Sequence, residues 1–186
     1  KIIKTTGDKL ANIPLAQSGT KGLFIKEIEE ALAAGEVDLA VHSMKDLPTE
    51  QPAGLAVAAV PEREEARDVF IAKNGESFAA LPAGARLGTS SLRRQSQLRR
   101  LRADLDFQPM RGNLDTRLRK LDHGDFDALV LAAAGVHRLG LDLSGLESFT
   151  LDRFEFIPAP GQGILNIQIR DNDPDVEKII SQLSDD

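Results

Sequence analysis

The stretch Gly88-Thr-Ser-Ser-Leu-Arg-Arg94 and the run Met110-Arg-Gly-Asn-Leu-Asp-Thr-Arg117 share one pattern: a strand end, a turn of small residues and the start of a helix. Each such junction leaves first-turn N–H groups without intrahelical partners at the positive end of a helix dipole. Arginines placed there make the junction a site for carboxylates or phosphates. Thr89, Ser90 and Ser91 can cap the first helix and offer hydroxyls. Arg93 and Arg94 are adjacent, so a helix points them roughly 100° apart, which suits two anionic groups better than one. Guanidinium matches flat carboxylates and phosphates alike, so the motif leaves the anion open. The plainer alternative is a capped helix whose solvated basic face continues through Arg99, Arg100 and Arg102.

The balance of charge narrows the partner. With 29 acidic against 23 basic residues and a net charge of −6, general affinity for nucleic acid is not expected, and the arginines read as a local pocket for a small anion. Tyr and Trp are absent and only 8 Phe occur, which weakens base stacking as well. A length of 186 residues with 41% hydrophobic content allows one large or two small domains around a real core. No apolar run is long enough to span a bilayer and no charged-then-apolar leader opens the sequence, so a soluble chain with no membrane partner is expected. The chain starts on Lys1, straight into a strand-like Ile2-Ile3, as though its natural beginning were missing. Zero cysteines exclude a disulfide, a cysteine nucleophile or a thiolate metal site within these residues. His42, His123 and His137 are too scattered for a metal cluster, so no metal is expected.

Short β-like runs at 38–42, 55–60, 69–72, 105–110, 128–132 and 164–169 alternate with helical patterns at 22–34, 90–101, 114–121 and 174–183, the last entered through Asp173 with Pro174 at its first position. This is α/β organisation, and largely parallel sheets covered by helices are expected, with ligands beyond the carboxyl ends of the strands. Polar clusters fall at such ends: His42 to Asp46, Gly88 to Ser91 and Arg111 to Asn113, with Pro158 to Gly163 preceding the run at 164–169. The charged segment 61–68 reads as a crossing between two lobes, with a return near 154–160. Two lobes facing across a cleft, hinged in both crossings, would result.

Lys45 and Asp46 follow a buried-type strand directly and place a cation and a carboxylate at its end. Among arginines, such a carboxylate could stay ionised and stabilise a developing cation, or hold a proton if desolvation dominated; both suit acid–base work on an amine. The bland alternative is that Asp46 caps the turn before Pro48 while Lys45 is solvated. His42 is equally a core hydrogen-bonding residue or a catalyst. The poorly patterned stretch 9–17, flanked by Gly7-Asp8 and by Ser18 to Gly22, is a functional loop that brings Lys21 and Lys26 over the cleft, or a plain surface loop.

Taken in order, Val41-His-Ser-Met-Lys-Asp46, Gly88-Thr-Ser-Ser-Leu-Arg-Arg94, Arg111-Gly-Asn113 with Thr116-Arg117, Leu131-Ala-Ala-Ala-Gly135 with Arg138-Leu-Gly140, and Pro160-Gly-Gln-Gly163 resemble the porphobilinogen deaminase family over nearly the whole chain. The resemblance implies a type II periplasmic-binding-protein-like architecture, two-lobed with a central cleft, domain 1 being 1–64 with 160–186 and domain 2 being 65–159. It implies an enzyme of tetrapyrrole (heme) biosynthesis that condenses four porphobilinogen molecules head to tail, releasing ammonia, to give hydroxymethylbilane. It also implies a dipyrromethane cofactor acting as primer. On this resemblance Asp46 is the catalytic aspartate. Arg93, Arg94, Arg111, Arg117 and Arg138 hold acetate and propionate groups, and Lys45, Ser43, Thr89, Ser90, Ser91, Gly112, Gln162 and Gly163 neighbour the cofactor. Arg111, Arg117, Arg138 and Lys21 meet porphobilinogen and the growing polypyrrole chain.

The sequence departs from the family at both ends. No Arg-x-Ser-Pro-Leu-Ala type segment precedes Lys1, and the family's third domain, whose cysteine forms a thioether to dipyrromethane, has no counterpart among these residues. The expectation is therefore an incomplete portion of the enzyme, inactive by itself, drawn from a monomeric cytoplasmic protein, with a plastid or other organelle as the alternative. The rival function is a two-lobed module that binds a small polycarboxylate without turnover. Asp46 separates the two, since a receptor has little use for a carboxylate among ligand-binding arginines.

Overall fold

Three residues with short polar side chains start helices here, because each satisfies a backbone N–H that the first turn leaves orphaned. Ser91 Oγ accepts from Arg94 N at 3.4 Å, Asn113 Oδ1 from Thr116 N at 2.9 Å, and Asp173 Oδ1 from Val176 N at 3.3 Å. The structure is a computed structural model that describes residues 3, 5, 6, 25–73 and 76–185. The expected strand start at Ile2, the stretch 9–17 and Lys21 lie outside the described residues. In chain order the elements are α1 (Lys26–Ala33), β1 (Ala40–Ser43), β2 (Leu55–Ala59), β3 (Asp68–Ala72), β4 (Arg86–Gly88), α2 (Leu92–Leu101), β5 (Asp106–Gln108), α3 (Leu114–Asp122), β6 (Ala128–Ala132), α4 (Ala133–Arg138), β7 (Glu147–Thr150), β8 (Leu165–Arg170) and α5 (Pro174–Ile180).

The chain divides into two compact units, Lys1–Glu64 with Pro160–Asp186, and Glu65–Ala159. In the first unit β8 runs between β1 and β2 and is antiparallel to both. Ala59, Ile167, Ile169 and Ile180 form one apolar cluster and Leu32, Ala40 and Leu55 another, so α5 and α1 each cover apolar residues of this sheet. Arg170 at the end of β8 fixes the helices: its guanidinium donates to the Leu32 and Val37 carbonyls at 3.0 and 2.7 Å and to Asp173 at 2.7 Å. Those bonds tie the end of β8 to the last turn of α1 and to the loop that follows it.

The second unit is built on a sheet of order β5-β4-β6-β3-β7. Every residue of β3 is buried, as are the first four of β6, because apolar layers lie on both faces of these strands. Phe70, Leu87, Leu98, Ala128, Val130 and Phe156 fill one layer, and Val69, Ile71, Met110, Leu121, Leu129 and Leu131 the other.

The expectation of largely parallel sheets is corrected here. β4 is parallel to β5 and β6, but β3 is antiparallel to β6 and β7, and both pairings of the three-stranded sheet are antiparallel. The reversal comes from strands that enter their sheet from remote segments, β3 beside β6 and β8 between β1 and β2. A pattern of alternating β-like and helical runs carries no information about such long-range pairing.

Candidate functional site

The carboxyl ends of β4 and β5 lie side by side, with Gly88 paired to Gln108 in parallel register. Both arginine-bearing turns therefore leave the sheet at the same place. Thr89 N donates to Gln108 O at 2.9 Å, and the Ser90 hydroxyl donates to Met110 O at 2.7 Å while accepting from Met110 N at 2.9 Å. Thr89 Oγ1 accepts from Ser91 N at 3.2 Å, and Gln95 Nε2 donates to Thr89 O at 2.9 Å. These hydroxyls build the mouth as well as line it, and the single proton of Ser90 is spent on Met110.

Behind the mouth stands Asp68, the first residue of β3 and fully buried. Its Oδ2 accepts from Arg93 Nη2 at 2.7 Å, and its Oδ1 from Arg94 Nε and Nη2 at 3.0 and 2.6 Å. Arg94 Nη1 donates to Val130 O at 3.0 Å; Arg93 Nη1 donates to Ile157 O, and its guanidinium lies over the Phe156 ring at 5.8 Å. Within the protein both diverging arginines meet a single carboxylate. One carboxylate holds both, because its two oxygens face opposite ways. Burial lowers the affinity of Arg94 for its proton, with Arg93 adding to that effect and Asp68 opposing it.

The second turn adds two further cations, Arg111 and Arg117. Gly112 takes φ +113°, a conformation open to glycine, and its carbonyl accepts from Arg117 Nε at 2.8 Å. Arg117 is pushed below the ordinary arginine value, first by loss of hydration and then by the positive charges of Arg94 and Arg111. Three guanidiniums are close enough to repel, and the carboxylate that faces Arg94 is already shared with Arg93. An anion entering here relieves that repulsion. Arg138 is exposed at the last turn of α4.

In the first unit, β1 runs into a 3₁₀ turn, Met44–Asp46. Met44 N donates to Ile164 O at 2.9 Å, which ties the turn to the start of β8. The loop before β8 packs on it from the side: Gly161 has φ +70°, and a Cβ there would stand 3.2 Å from Lys45 N and 3.3 Å from the Met44 carbonyl carbon. Gln162 is buried, its carbonyl accepts from Arg63 Nε and Nη2 at 3.1 and 3.0 Å, and its Oε1 lies 3.5 Å from Lys45 Nζ. Gly163 O accepts from Glu64 N at 3.0 Å. Ser43, Lys45 and Asp46 keep solvent access. Protein packed around Asp46 still removes part of its hydration and raises its carboxyl above the ordinary value, with Lys45 opposing.

Asp68 escaped the sequence reading, although a signal existed. It is a charge heading a strand whose other four residues are all apolar, and a carboxylate there must have a cationic partner. Among the described residues no group of three or more His, Cys, Asp or Glu could hold a metal ion, and no helix is long and apolar enough to cross a membrane.

Two α/β units, one bearing an arginine-rich mouth and the other a carboxylate on a strand-end turn, define a protein of the type II periplasmic-binding-protein-like fold. An arginine-specific periplasmic binding protein of Salmonella typhimurium shares this fold at TM-score 0.50 and 15% identity, over 86% of this chain and 70% of that one. A periplasmic binding protein from Brucella ovis with glutathione bound matches at TM-score 0.52 and 14% identity, over 84% of this chain and 50% of that one. The family is specific: residues 1–178 match the family model described as porphobilinogen deaminase, dipyromethane cofactor binding domain, and the chain belongs to the porphobilinogen deaminase family. It is 52% identical over 185 residues to the porphobilinogen deaminase of Syntrophobacter fumaroxidans, covering 100% of this chain and 59% of that protein. It is 55% identical over 183 residues to that of Nitratidesulfovibrio vulgaris, covering 98% of this chain and 58% of that protein. The chain thus spans somewhat under 60% of the length of these curated relatives.

Proposed function

We propose that this chain handles pyrroles in a hydroxymethylbilane synthase, condensing four porphobilinogen molecules head to tail with loss of ammonia at each step. The observation that carries the reading is the repulsive group of Arg94, Arg111 and Arg117 at a mouth formed by both motif turns. Each pyrrole of this chemistry carries an acetate and a propionate, and a row of carboxylates is the ligand such a donor set fits. The same fit holds for dipyrromethane: Arg111 and Arg117 would hold its carboxylates, while Thr89, Ser91 and Gly112 line the approach. When bound, dipyrromethane supplies the primer on which the chain grows. These 186 residues contain no cysteine, so the thioether the family uses has no sulfur donor among them.

Arg93 and Arg94 act here through Asp68, setting the mouth's shape and charge. Arg138 and Lys21 serve the incoming substrate. Asp46 provides the acid–base group, beside Ser43, Lys45, Gln162 and Gly163. As the bond from the aminomethyl carbon to the protonated amine breaks and ammonia leaves with the bonding pair, the positive charge passes onto the pyrrole, and the Asp46 carboxylate balances that charge. When the new carbon–carbon bond forms, the attacked pyrrole carbon loses a proton, which Asp46 can take. The reading includes a monomeric cytoplasmic protein without nucleic-acid or membrane partners; the net charge of −6 supports excluding nucleic acid.

The test is the intact natural protein supplied with porphobilinogen, with ammonia and hydroxymethylbilane followed together. Stoichiometric release of both is expected. Saturable binding with no ammonia would replace this reading by a polycarboxylate-binding module.

A further inference from the structure

The face of β1 and β8 opposite Ile167 carries polar side chains, and one of them meets both flanks of the Asp46 turn. Gln168 is fully buried. Its Oε1 lies 3.2 Å from His42 Nε2, and its Nε2 donates to Gln51 Oε1 at 2.8 Å and to Glu29 Oε1 at 3.1 Å. Gln51 in turn donates through Nε2 to Pro48 O at 3.3 Å. His42 precedes the Met44–Asp46 turn and Pro48 to Gln51 follow it. A single side chain therefore closes the segment from 42 to 51 on itself, with Asp46 inside.

The donor pattern leaves one arrangement. The Glu29 carboxylate can only accept, so the Gln168 amide nitrogen faces it, and the amide oxygen faces His42. His42 must then carry its proton on Nε2. Burial lowers the pKa of His42, with the Gln168 bond and the charge of Glu29 opposing, so the ring is held neutral in that tautomer. Two amide protons and one amide oxygen are thus all used in joining α1, β1, β8 and the loop after Asp46.

We propose that Gln168 is a positioning residue for Asp46, fixing the turn from both sides through His42 and Gln51. The proposal rests on the acid–base role given to Asp46 above. Gln168 touches no reacting atom, and its effect is geometric: a catalytic group displaced by about 1 Å can lose up to about a hundredfold in rate.

The test uses the intact natural protein with Gln168→Leu, which keeps the volume and removes every side-chain bond, and Gln51→Ala, which removes one flank from a half-buried loop position and leaves Gln168 its bonds to His42 and Glu29. Ammonia release from porphobilinogen is measured across about pH 5 to 9, alongside hydrogen exchange of the Met44 and Leu47 amides. Expected in the folded variants are a fall in kcat of about tenfold, KM within about twofold, and an acid limb of kcat/KM moved toward the ordinary carboxylate range as Asp46 regains water. Both amides should exchange faster. A folded variant with the wild-type kcat and acid limb, or with a change in KM alone, overturns the proposal. If Gln168→Leu does not fold, Gln51→Ala decides. If the wild-type protein releases no ammonia, the functional reading fails separately, and amide exchange then decides the positioning claim, an unchanged rate overturning it.

Discussion

Asp68 and Asp46 are carboxylates with opposite environments, and each has a measurable consequence. Asp68 is held by two arginines in full burial, so removing its charge leaves two guanidiniums facing a neutral amide. Asp68→Asn is expected to destabilise the protein by about 3–5 kcal/mol, as breaking a buried ion pair from one side does. Arg100→Leu, on the exposed face of α2, should change stability by no more than about 0.5 kcal/mol. Urea denaturation of both variants measures the contrast. Asp46 keeps solvent access and has a raised pKa. Its folded form binds a proton more readily than the unfolded chain, so its favourable contribution is complete below the ordinary value of 3.8 and is lost as pH rises through the folded pKa. Asp46→Asn should therefore melt slightly higher than wild type at neutral pH, with the difference closing in acid, while turnover of the intact enzyme falls by about 10²–10³. Thermal scans at several pH values and ammonia release check both halves. The two residues also differed in legibility. Asp46 stands inside a motif readable as a strand end, whereas the partners of Asp68 lie 25 and 26 residues away and are brought to it only by the antiparallel insertion of β3.

At the scale of elements, three helices carry a cap residue beside them in sequence, and strand directions have no such local mark. Ser91, Asn113 and Asp173 act on residues three positions away, so their role is written in adjacent sequence. The direction of β8 depends on β1 and β2, more than a hundred positions earlier, and no local pattern encodes it. β7 and α4 escaped the sequence reading for related reasons: β7 is an edge strand that is largely exposed, and α4 is a short apolar helix that continues directly from β6. The loop before β8 shows how one element disciplines another. Gly161 combines a left-handed backbone with contact against the Met44–Asp46 turn, so Gly161→Ala adds backbone strain of about 1–3 kcal/mol and presses a methyl onto Lys45 N. Lower stability by that amount is expected, with a fall of about tenfold in kcat from displacement of Asp46. A variant with native stability and native kcat would show that the loop and the turn are not mechanically coupled.

For the whole molecule, the distribution of core and charge makes one unit separable. Residues 65–159 are continuous in sequence and carry their own five-stranded sheet with apolar layers on both faces, whereas the other unit is assembled from both ends of the chain. A segment that buries its own core and exposes few unpaired groups at its boundaries folds alone. The excised 65–159 segment is therefore expected to unfold cooperatively in urea. The segment also contains Arg94, Arg111 and Arg117 together with both motif turns, so its anion mouth should survive excision. Titration with porphobilinogen should shift the amide resonances of Thr89 to Ser91 and of Arg111 and Gly112, weakly and in a salt-dependent way, because charge pairing that salt can reach is screened within about 10 Å at 0.1 M salt. Arg117→Leu removes one member of the repelling group without touching the Asp68 pair, and should weaken that titration by about tenfold while leaving the urea midpoint nearly unchanged. A folded segment that ignores porphobilinogen, or whose Arg117→Leu variant binds as well as the parent, would show that this unit does not hold carboxylates by itself.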